Sequence, residues 1–559
     1  MKKTLLRLGM GVALLAACAS CQKLGPLKAE YFEVNPNPLV VKAGKVDGTI
    51  TATFPEKYFA EKGQVEVITV LKYEGGEAIS TLGSSFYQGT KVEGNDTQIQ
   101  YKAGGTVTQN FSFNYVPEMA NSVLALRFKA QLKGKEVEIP EVEIAVGCIA
   151  TSTLADASSI APAYAKDNFV RDTKEVTEAN VMFDIQSANV KGNDEVKALN
   201  AAAAATADDE KRTIDALTLV AAASPDGEEG LNENLANNRQ KNTVNYLKKQ
   251  KNQTAVDAKY IAEDWEGFAK LVAASSVQDK DLILRVLGTY QDPAEREKEI
   301  KNLSAAYKEL AEDILPQLRR AHLELTVNVA GKTDAELLAL AKSNPDTLTV
   351  EELMFTATIA ENKADADAFT AANAKQNPDD WRTTNNLAAS NFTNDDFASA
   401  KSNLNTSVDK GGAEQPEPNF NMGLLALVNV DPATAQGYLG KAAGIENLRE
   451  AQTVMFIQQG EYGKAVAASS GLNTNNAALA QMLVNNNDKA SAILNDVESK
   501  DALTYYLAAI VAARTSDDAN VFANLKEAVA ADSALANRAK NDLEFAKYWV
   551  VPSFVEVVK

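Results

Sequence analysis

The hydrophobic and polar positions of the chain change their period twice, and these changes divide it into three folded regions. Between residues 31 and 150, apolar residues alternate with polar ones, as in VEVITVLKY (65–73) and VLALRFKA (123–130), and glycine-containing turns separate the runs. A period of two is typical of strands that bury one face, and short strands at this spacing favour an antiparallel sandwich. We therefore predict an all-β sandwich over 31–150.

Strand-like and helical runs alternate in the central region, residues 165–330. The run ANVMFDIQSANV (179–190) places Val181, Phe183 and Ile185 on one face, and an alanine-rich helix and further short strands follow it. Strands that alternate with helices are typical of an α/β unit. The pattern predicts a central α/β domain.

A helical pattern occupies residues 345–548. A tetratricopeptide unit needs small residues where its two helices cross, with larger residues at fixed offsets beside them. The residues that fit these offsets are Ala388, Ala400, Leu404 and Ser407, then Gly423, Ala435, Leu439 and Ala442, with weaker copies around Ala465, Ala490 and Val521. We predict an all-α tetratricopeptide-like solenoid, and a generic helical bundle is the alternative.

Stacked helix pairs of this kind leave a surface that suits extended peptides. In the first tetratricopeptide-like helix pair, the candidate protein-binding residues are Asn385, Asn386 and Asn391, because an amide side chain can hydrogen-bond a peptide backbone. The alternative is that these asparagines cap helices.

The N-terminus begins with basic residues and continues into an apolar run that is too short to span a bilayer. This pattern predicts a signal peptide over residues 1–17. The sequence Leu-Ala-Ala-Cys that ends at Cys18 resembles the lipobox of bacterial lipoproteins, and Cys21 is the alternative lipidated residue. The resemblance implies a lipidated linker over 18–30 and an anchor in the outer membrane. Clustered acids of the kind used for surface export are missing after Cys18, so we expect the periplasmic face.

The composition of the chain argues against several kinds of partner and functional site. The chain has 75 acidic and 56 basic residues, a net charge of -19, which disfavours nucleic acid as a partner. His322 is the only histidine, and Cys148 is the only cysteine beyond the N-terminal region. These counts argue against a zinc site and against a histidine-based triad. Walker-type glycine loops and Gly-x-Ser-x-Gly elbows are absent from the sequence. We therefore expect no enzymatic activity, no catalytic residue, no cofactor and no metal.

The most informative stretch is 217–247, in which a small apolar strand meets a Ser-Pro-Asp-Gly turn and a polar helix. Together with VMFDIQSANV before it, this stretch resembles the C-terminal peptidoglycan-associating domain of outer-membrane protein A. Asn232, Leu235 and Arg239 occupy the positions of that family's Asn-x-x-Leu-Ser-x-x-Arg signature, and Gly227 matches its turn glycine. The segments EDWEGF and ILPQLRRAHLELTV further resemble the version of this domain found in lipoproteins of Bacteroides-like bacteria.

The resemblance implies that an acid binds the ammonium of the peptidoglycan stem peptide while the arginine binds its carboxylate. Arg239 keeps the arginine's position, but the family's acid falls on Ser224, which has no charge. Asp226, two residues later, is the alternative acid. In the other interpretation, the domain is an inherited scaffold in which Arg239 pairs with a nearby acid such as Glu233.

The leading hypothesis is a non-enzymatic cell-envelope lipoprotein. Its OmpA-like domain would contact peptidoglycan, and its helical repeats would bind other envelope proteins. The alternative is a scaffold for fimbrial or secretion assembly, or for adhesion, in which the α/β domain has only a structural role.

Overall fold

The computed structural model describes residues 24–559. They form two compact units, one made of the chain up to Lys166 together with Thr370–Lys559, and the other of Asp167–Phe369. The predicted signal peptide, Cys18 and Cys21 lie outside the described residues. Among the described helices, none has the length and apolar character needed to span a bilayer.

The N-terminal part of the first unit is built from β-strands, as predicted. They are β1 (Phe32–Asn35), β2 (Val41–Lys42), β3 (Lys45–Phe54), β4 (Gly63–Tyr73), β5 (Gly76–Ile79), β6 (Ser85–Gly89), β7 (Thr97–Ile99), β8 (Gly105–Asn114), β9 (Ser122–Leu132), β10 (Lys135–Val137) and β11 (Val142–Gly147). One sheet contains β1, β3, β2 and β8, and the other has the order β10-β9-β4-β6-β7 with β11 on β9 and β5 on β4.

A single buried core joins the two sheets. Ile50 and Phe111 come from the smaller sheet, and Leu71 and Leu124 come from the larger one. The alternating run VEIPEVEIAV (137–146) is not one strand, because β10 ends at Val137 and β11 begins at Val142. Proline at position 140 explains the break, since proline has no N–H to donate to a sheet.

The second unit contains the α/β region. Its elements are β12 (Thr173–Met182), α1 (Asp194–Ala207), β13 (Arg212–Ala222), α2 (Glu229–Lys249), β14 (Val256–Ile261), α3 (Trp265–Ala274), α4 (Lys280–Thr289), α5 (Pro293–Asn302), α6 (Ser304–Glu309), α7 (Leu315–Leu318), β15 (Arg320–Val329), α8 (Asp334–Ser343) and α9 (Val350–Thr358); α10 (Lys363–Gln376) follows. The sheet order is β12-β15-β13-β14, with β13 parallel to β14 and β15 antiparallel to both of its neighbours.

Alternating apolar residues of this sheet pack against α1 and α2. Leu323 and Leu325 of β15, Leu219 of β13 and Val181 of β12 are fully buried in this core. The predicted position of Ile185 on the same face is wrong, because β12 ends at Met182 and the Ile185 side chain is 64% exposed. The α/β character of the region is therefore established, whereas its membership of the outer-membrane protein A class stays a prediction.

The C-terminal part of the first unit is all-helical. Its helices are α11 (Trp381–Thr393), α12 (Phe397–Asp409), α13 (Pro416–Val428), α14 (Pro432–Leu439), α15 (Leu448–Gln458), α16 (Tyr462–Ala468), α17 (Asn475–Leu483), α18 (Asn487–Asp496), α19 (Ala502–Thr515), α20 (Asp518–Ala531), α21 (Ala534–Asn541) and α22 (Pro552–Val557). Neighbouring helices pack in pairs from α11 with α12 to α19 with α20.

Small residues allow the two helices of a pair to approach. Ala400, Ala435, Ala465 and Ala490, which the sequence places at the crossing offsets, are all fully buried. A Cβ atom at Gly423 would lie 2.6 Å from a methyl carbon of Leu439, so any larger residue here would force the Leu439 side chain to move. The predicted C-terminal array of helix pairs is confirmed by these contacts, whereas the predicted domain boundaries, 345–548 included, stay predictions.

Aspartate residues fix where the second helices of several pairs begin. The Asp396 side chain accepts the Ser399 N–H before α12, and Asp431 accepts the Thr434 N–H before α14. The Asp517 side chain accepts the Asn520 N–H before α20 in the same way. Each of these bonds satisfies an N–H group that a helix terminus leaves free.

Candidate functional site

A segment without helix or strand, residues 155–166, follows the sandwich and crosses the first helices of successive helix pairs. We call it the strap. Just before it, the Thr151 hydroxyl donates to Glu544 near the C-terminal end of the solenoid. Ala157 and Ile160 are buried within the hydrophobic cluster that α11 to α15 form. The strap therefore runs from the C-terminal helix pairs towards the N-terminal ones.

Five asparagine side chains of the solenoid bind the main chain of the strap. We call them the asparagine row: Asn385, Asn386, Asn421, Asn447 and Asn476. Asn385 and Asn386 lie on α11, Asn421 on α13 and Asn476 on α17, and Asn447 is the residue before α15. The row thus follows the first helices of four successive pairs.

Two asparagines of the row each pair with both polar groups of one strap residue. The Asn421 Oδ1 accepts the Ala163 N–H at 2.7 Å, and its Nδ2 donates to the Ala163 carbonyl at 2.8 Å. The Asn386 Oδ1 accepts the Ala165 N–H at 2.7 Å, and its Nδ2 donates to the Ala165 carbonyl at 3.0 Å. These distances are ordinary for hydrogen bonds of this type. An amide side chain in this geometry forms the same two hydrogen bonds that a neighbouring strand would form in a β-sheet.

The same two-way pairing occurs at the other end of the strap. The Asn476 Oδ1 accepts the Asp156 N–H at 2.9 Å, and its Nδ2 donates to the Asp156 carbonyl at 2.8 Å. Between the two ends, Asn447 donates to the Ala161 carbonyl at 3.1 Å. The row therefore binds main-chain atoms along the length of the strap.

Hydrogen bonds within the row hold its amides in position. The Asn421 Nδ2 also donates to the Asn385 Oδ1 at 3.0 Å, and the Asn385 Nδ2 donates to the Asn386 Oδ1 at 3.1 Å and to the Ala163 carbonyl at 3.1 Å. Asn385 and Asn421 are almost completely buried. A connected and buried polar network of this kind fixes side-chain orientation.

The predicted residue Asn391 has a different place. Its Oδ1 accepts a hydrogen bond from the Asn403 Nδ2 at 2.8 Å, which links α11 to α12. Asn385 and Asn386 do not cap α11, because Asp380 is its N-cap residue and the Asp380 side chain accepts the Arg382 N–H.

The sequence contained a pattern that would have revealed more of the row. Asn386 stands two residues before the crossing residue Ala388, and Asn421 stands two residues before Gly423. Asn476 precedes the buried Ala478 by the same offset. Asparagine at a fixed offset from the helix crossing therefore marks the row in three pairs.

A carboxyl group supports the C-terminal end of the row. The Glu450 side chain accepts hydrogen bonds from the Asn476 Nδ2 and the Thr474 hydroxyl, both at 2.8 Å. Burial raises the pKa of Glu450, and the negative charge of Asp156 raises it further. The folded chain therefore binds a proton at Glu450 more tightly than the unfolded chain does.

This pKa shift predicts a pH-dependent effect of Glu450→Gln. The stability that Glu450 contributes is complete below its unfolded pKa of about 4.3 and is lost as the pH rises through its raised folded pKa. Glutamine is always neutral, so the variant should melt at a higher temperature than wild type at pH 7 and lose this advantage near pH 4. Thermal unfolding followed by circular dichroism checks the result, with the exposed Glu446→Gln as control. A melting temperature of Glu450→Gln below that of wild type at pH 7 would contradict it.

In the second unit, the turn after β13 is fastened by its own polar groups. The Ser224 hydroxyl donates to Asp226 at 2.5 Å, and Asp226 forms an ion pair with Arg319 at 3.1 Å. The Arg319 Nε also donates to the Ser224 hydroxyl oxygen at 3.2 Å. The Asn232 Nδ2 bonds the Ser224 and Gly227 carbonyls at 3.3 and 3.2 Å. The predicted residues Ser224, Asp226, Gly227 and Asn232 therefore lie together.

Arg239 lies beneath this turn and is 1% exposed. Its guanidinium donates to the carbonyls of Ala222 at 2.8 Å, Ser187 at 2.9 Å and Asp184 at 3.3 Å. It also stands over the Phe183 ring at 5.0 Å. Burial, followed by the nearby charge of Arg319, lowers the pKa of Arg239 to about 10, so the side chain stays charged at neutral pH.

The interpretation that Arg239 pairs with Glu233 is wrong. Glu233 instead accepts a hydrogen bond from the Tyr260 hydroxyl at 3.3 Å. Arg239 forms no ion pair within the part of the chain that the structure describes, and backbone carbonyls accept its hydrogen bonds.

The sheet of the second unit places His322 between two glutamates. One ligand atom from each of Glu178, His322 and Glu324 lies within 4.8 Å of the others. The His322 Nδ1 is 3.1 Å from the Asn180 Oδ1 of the opposite strand. The side chain points from the sheet surface, as its alternation in β15 indicates, and we assign no metal to this group.

No family model matches the chain, and no curated protein matches it. Among solved structures, the chain is similar to a tetratricopeptide repeat protein from Parabacteroides merdae ATCC 43184, with 14% identity, 42% of this chain and 93% of that chain covered, and a TM-score of 0.29. It is also similar to the APC/C hetero-tetramer Cut9-Hcn1, with 13% identity, coverage of 59% and 72%, and a TM-score of 0.30. TM-scores of this size assign neither a fold nor a function to this chain.

Proposed function

We propose that the protein is a non-enzymatic scaffold that binds extended polypeptide segments along the asparagine row. The observation that carries this proposal is the pairing of Asn386, Asn421 and Asn476 with both polar groups of single strap residues. Such pairing recognises main chain rather than side chains, as an added β-strand does. The row can therefore accept partners of different sequence.

Hydrogen bonds to the main chain can supply the binding free energy of such a surface. Each net hydrogen bond contributes about 0.5–1.5 kcal/mol, so several of them in a row give appreciable affinity even without a large apolar interface. The preformed network of Asn385, Asn386 and Asn421 reduces the entropy that a partner's binding would otherwise cost.

We further propose that the scaffold works in the cell envelope. The support is the lipobox-like sequence at Cys18, behind a basic and apolar leader, with Cys21 as the alternative lipidated residue. An acylated cysteine would hold the chain to the outer membrane, on its periplasmic face, where other envelope proteins are the available partners.

Residue-resolved cross-linking in cells tests the scaffold proposal. The wild-type chain should give cross-links between other envelope proteins and residues beside the asparagine row, and the double variant Asn386→Ala/Asn421→Ala should lose them. The matched control is Asn391→Ala, because Asn391 bonds Asn403 instead of the strap. An unchanged set of cross-links in the double variant would overturn the proposal.

Contact with the peptidoglycan stem peptide is the second candidate function, and charge is the observation that favours it. Arg239 and Arg319 lie close together, and among the described residues Asp226 forms an ion pair with Arg319 but not with Arg239. A carboxylate ligand would neutralise the remaining positive charge. Against this candidate, the Arg239 guanidinium is buried and already bonded to three carbonyls. This geometry agrees better with a structural role of the α/β region.

Pelleting with purified sacculi separates the two roles. If the α/β region binds the wall, wild type should pellet and Arg239→Met should remain in solution at a temperature where circular dichroism shows both to be folded. Equal retention of the two folded proteins would overturn the peptidoglycan candidate and leave the scaffold proposal intact.

A further inference from the structure

We infer that the N-terminal half of the asparagine row carries an exchangeable internal ligand, residues 161–166 of the strap. The partner that this half fits is an extended segment with small side chains at alternate positions. That segment would bind in place of residues 161–166. The inference rests on the proposed function, since it names the class of segment that the row would bind and what the segment must displace.

The two halves of the strap are attached differently. Ala157 and Ile160, in the first half of the strap, are buried in a hydrophobic cluster of the solenoid. Leu154, just before the strap, is buried in another. Beyond Ile160, the hydrogen bonds described between the strap and the row join main-chain atoms to asparagine amides. Apolar burial thus anchors 154–160, whereas the described hydrogen bonds of Ala161, Ala163 and Ala165 to the row are ones that any polypeptide can offer.

The spacing of these bonds defines the shape of the ligand. The row bonds Ala161, Ala163 and Ala165, which are two residues apart. Between them, Pro162 has no N–H to offer, and the Tyr164 side chain is 47% exposed. Alternation of this kind is the pattern of an extended strand, in which every second residue faces the partner.

The side chains that face the row set its specificity. Ala165 is 6% exposed and Ala163 is partly buried against the solenoid cluster. A larger side chain at either position would have to displace the row or the helices below it. The partner is therefore an extended segment with alanine, glycine or serine at two positions separated by one residue.

Reversibility follows from the main-chain character of these hydrogen bonds. Since the amides of Asn386 and Asn421 read only N–H and carbonyl groups, an incoming segment can form the same bonds that 161–166 releases. The internal segment has the advantage of being tethered, which raises its effective concentration to the millimolar range, about 10⁻³ M. Weakly binding segments are thereby excluded until their local concentration is high.

A labelled peptide tests this inference on the full chain. The probe is the acetylated and amidated sequence of 161–166 with a fluorophore on its lysine, and binding is followed by fluorescence anisotropy. The test variant Ala163→Pro/Ala165→Pro removes the two N–H groups that Asn421 and Asn386 accept. The control is Ala161→Pro, because the described bonds of Ala161 to the row use its carbonyl only.

The expected result is that the test variant binds the peptide at least tenfold more tightly than wild type or the control does, and that adding Asn386→Ala/Asn421→Ala abolishes binding. Equal binding by wild type and the test variant, lost on changing the two asparagines, would overturn the inference but keep the row as a receptor. Binding by none of the chains would overturn both the inference and the scaffold proposal.

A second measurement covers the case in which the proline variant fails to fold. In wild type, saturating unlabelled peptide should speed hydrogen exchange at the Ala163 and Ala165 amides, because the peptide displaces them from the row. A peptide methylated at its two corresponding amide nitrogens should have no effect. Unchanged exchange at both amides under saturating peptide would overturn displacement.

Discussion

Replacing Arg239 with methionine is expected to lower the free energy of unfolding by about 3 kcal/mol, one of the two largest effects of a single substitution that we predict. The guanidinium is 1% exposed and donates to the carbonyls of Ala222, Ser187 and Asp184. Each buried acceptor left without a donor costs about 1–3 kcal/mol, and removal of a buried charge offsets part of that sum. Methionine keeps much of the apolar volume against Phe183.

Urea denaturation monitored by circular dichroism measures this change. The matched control is Lys241→Met on the same helix, whose side chain is exposed and whose loss should change stability by less than about 0.5 kcal/mol. Similar, small effects of the two substitutions would contradict the structural role of Arg239. A large loss at Arg239 alone would also mean that any change in wall binding by this variant must be read at a temperature where it is folded.

Replacing Asn421 with alanine is expected to destabilise the first unit by about 3 kcal/mol. The side chain is 1% exposed and contributes three hydrogen bonds, two with Ala163 and one with Asn385. Its removal leaves the Ala163 N–H and the Asn385 Oδ1 without the partners that Asn421 provides. The Ala163 carbonyl keeps the bond from Asn385, which limits the loss.

Asn391→Ala is the appropriate comparison for Asn421→Ala. Both asparagines lie on the first helix of a helix pair, Asn391 on α11 and Asn421 on α13. Asn391, however, is partly exposed, and its described side-chain bond is to Asn403. Its replacement should cost about 1 kcal/mol or less. Equal destabilisation by the two substitutions in chemical denaturation would show that Asn421 acts through general helix packing, not through the strap.

The parts of the fold that depend on local periodicity were predictable from the sequence. Alternation over 65–73 and 123–130 gave β4 and β9, and the small residues Ala400 and Ala435 gave the helix crossings. In both cases the physical cause is local, because the spacing of apolar or small residues along one element determines which of its faces can be buried. Ile185 shows the limit of this reasoning, since periodicity does not show where a strand ends.

The candidate sites depend on contacts distant in sequence, and these could be predicted only in part. Asn385 and Asn386 were recognisable as main-chain binders from their place in the first helix pair. That their ligand is the chain's own strap, more than 200 residues away, is not encoded in any local pattern. Arg239 likewise looked available for a ligand because the sequence does not reveal that Ser187 and Asp184 direct their carbonyls at it.

Hydrogen exchange at the Ala163 and Ala165 amides of the wild-type chain tests the central claim most directly. If Asn421 and Asn386 accept these two N–H groups, both amides should be protected by at least about tenfold more than in Asn386→Ala/Asn421→Ala, with the sandwich strands unchanged between the two proteins. Exchange of both amides in wild type at the rate of an unstructured chain would contradict the assignment of the asparagine row as a main-chain binding site.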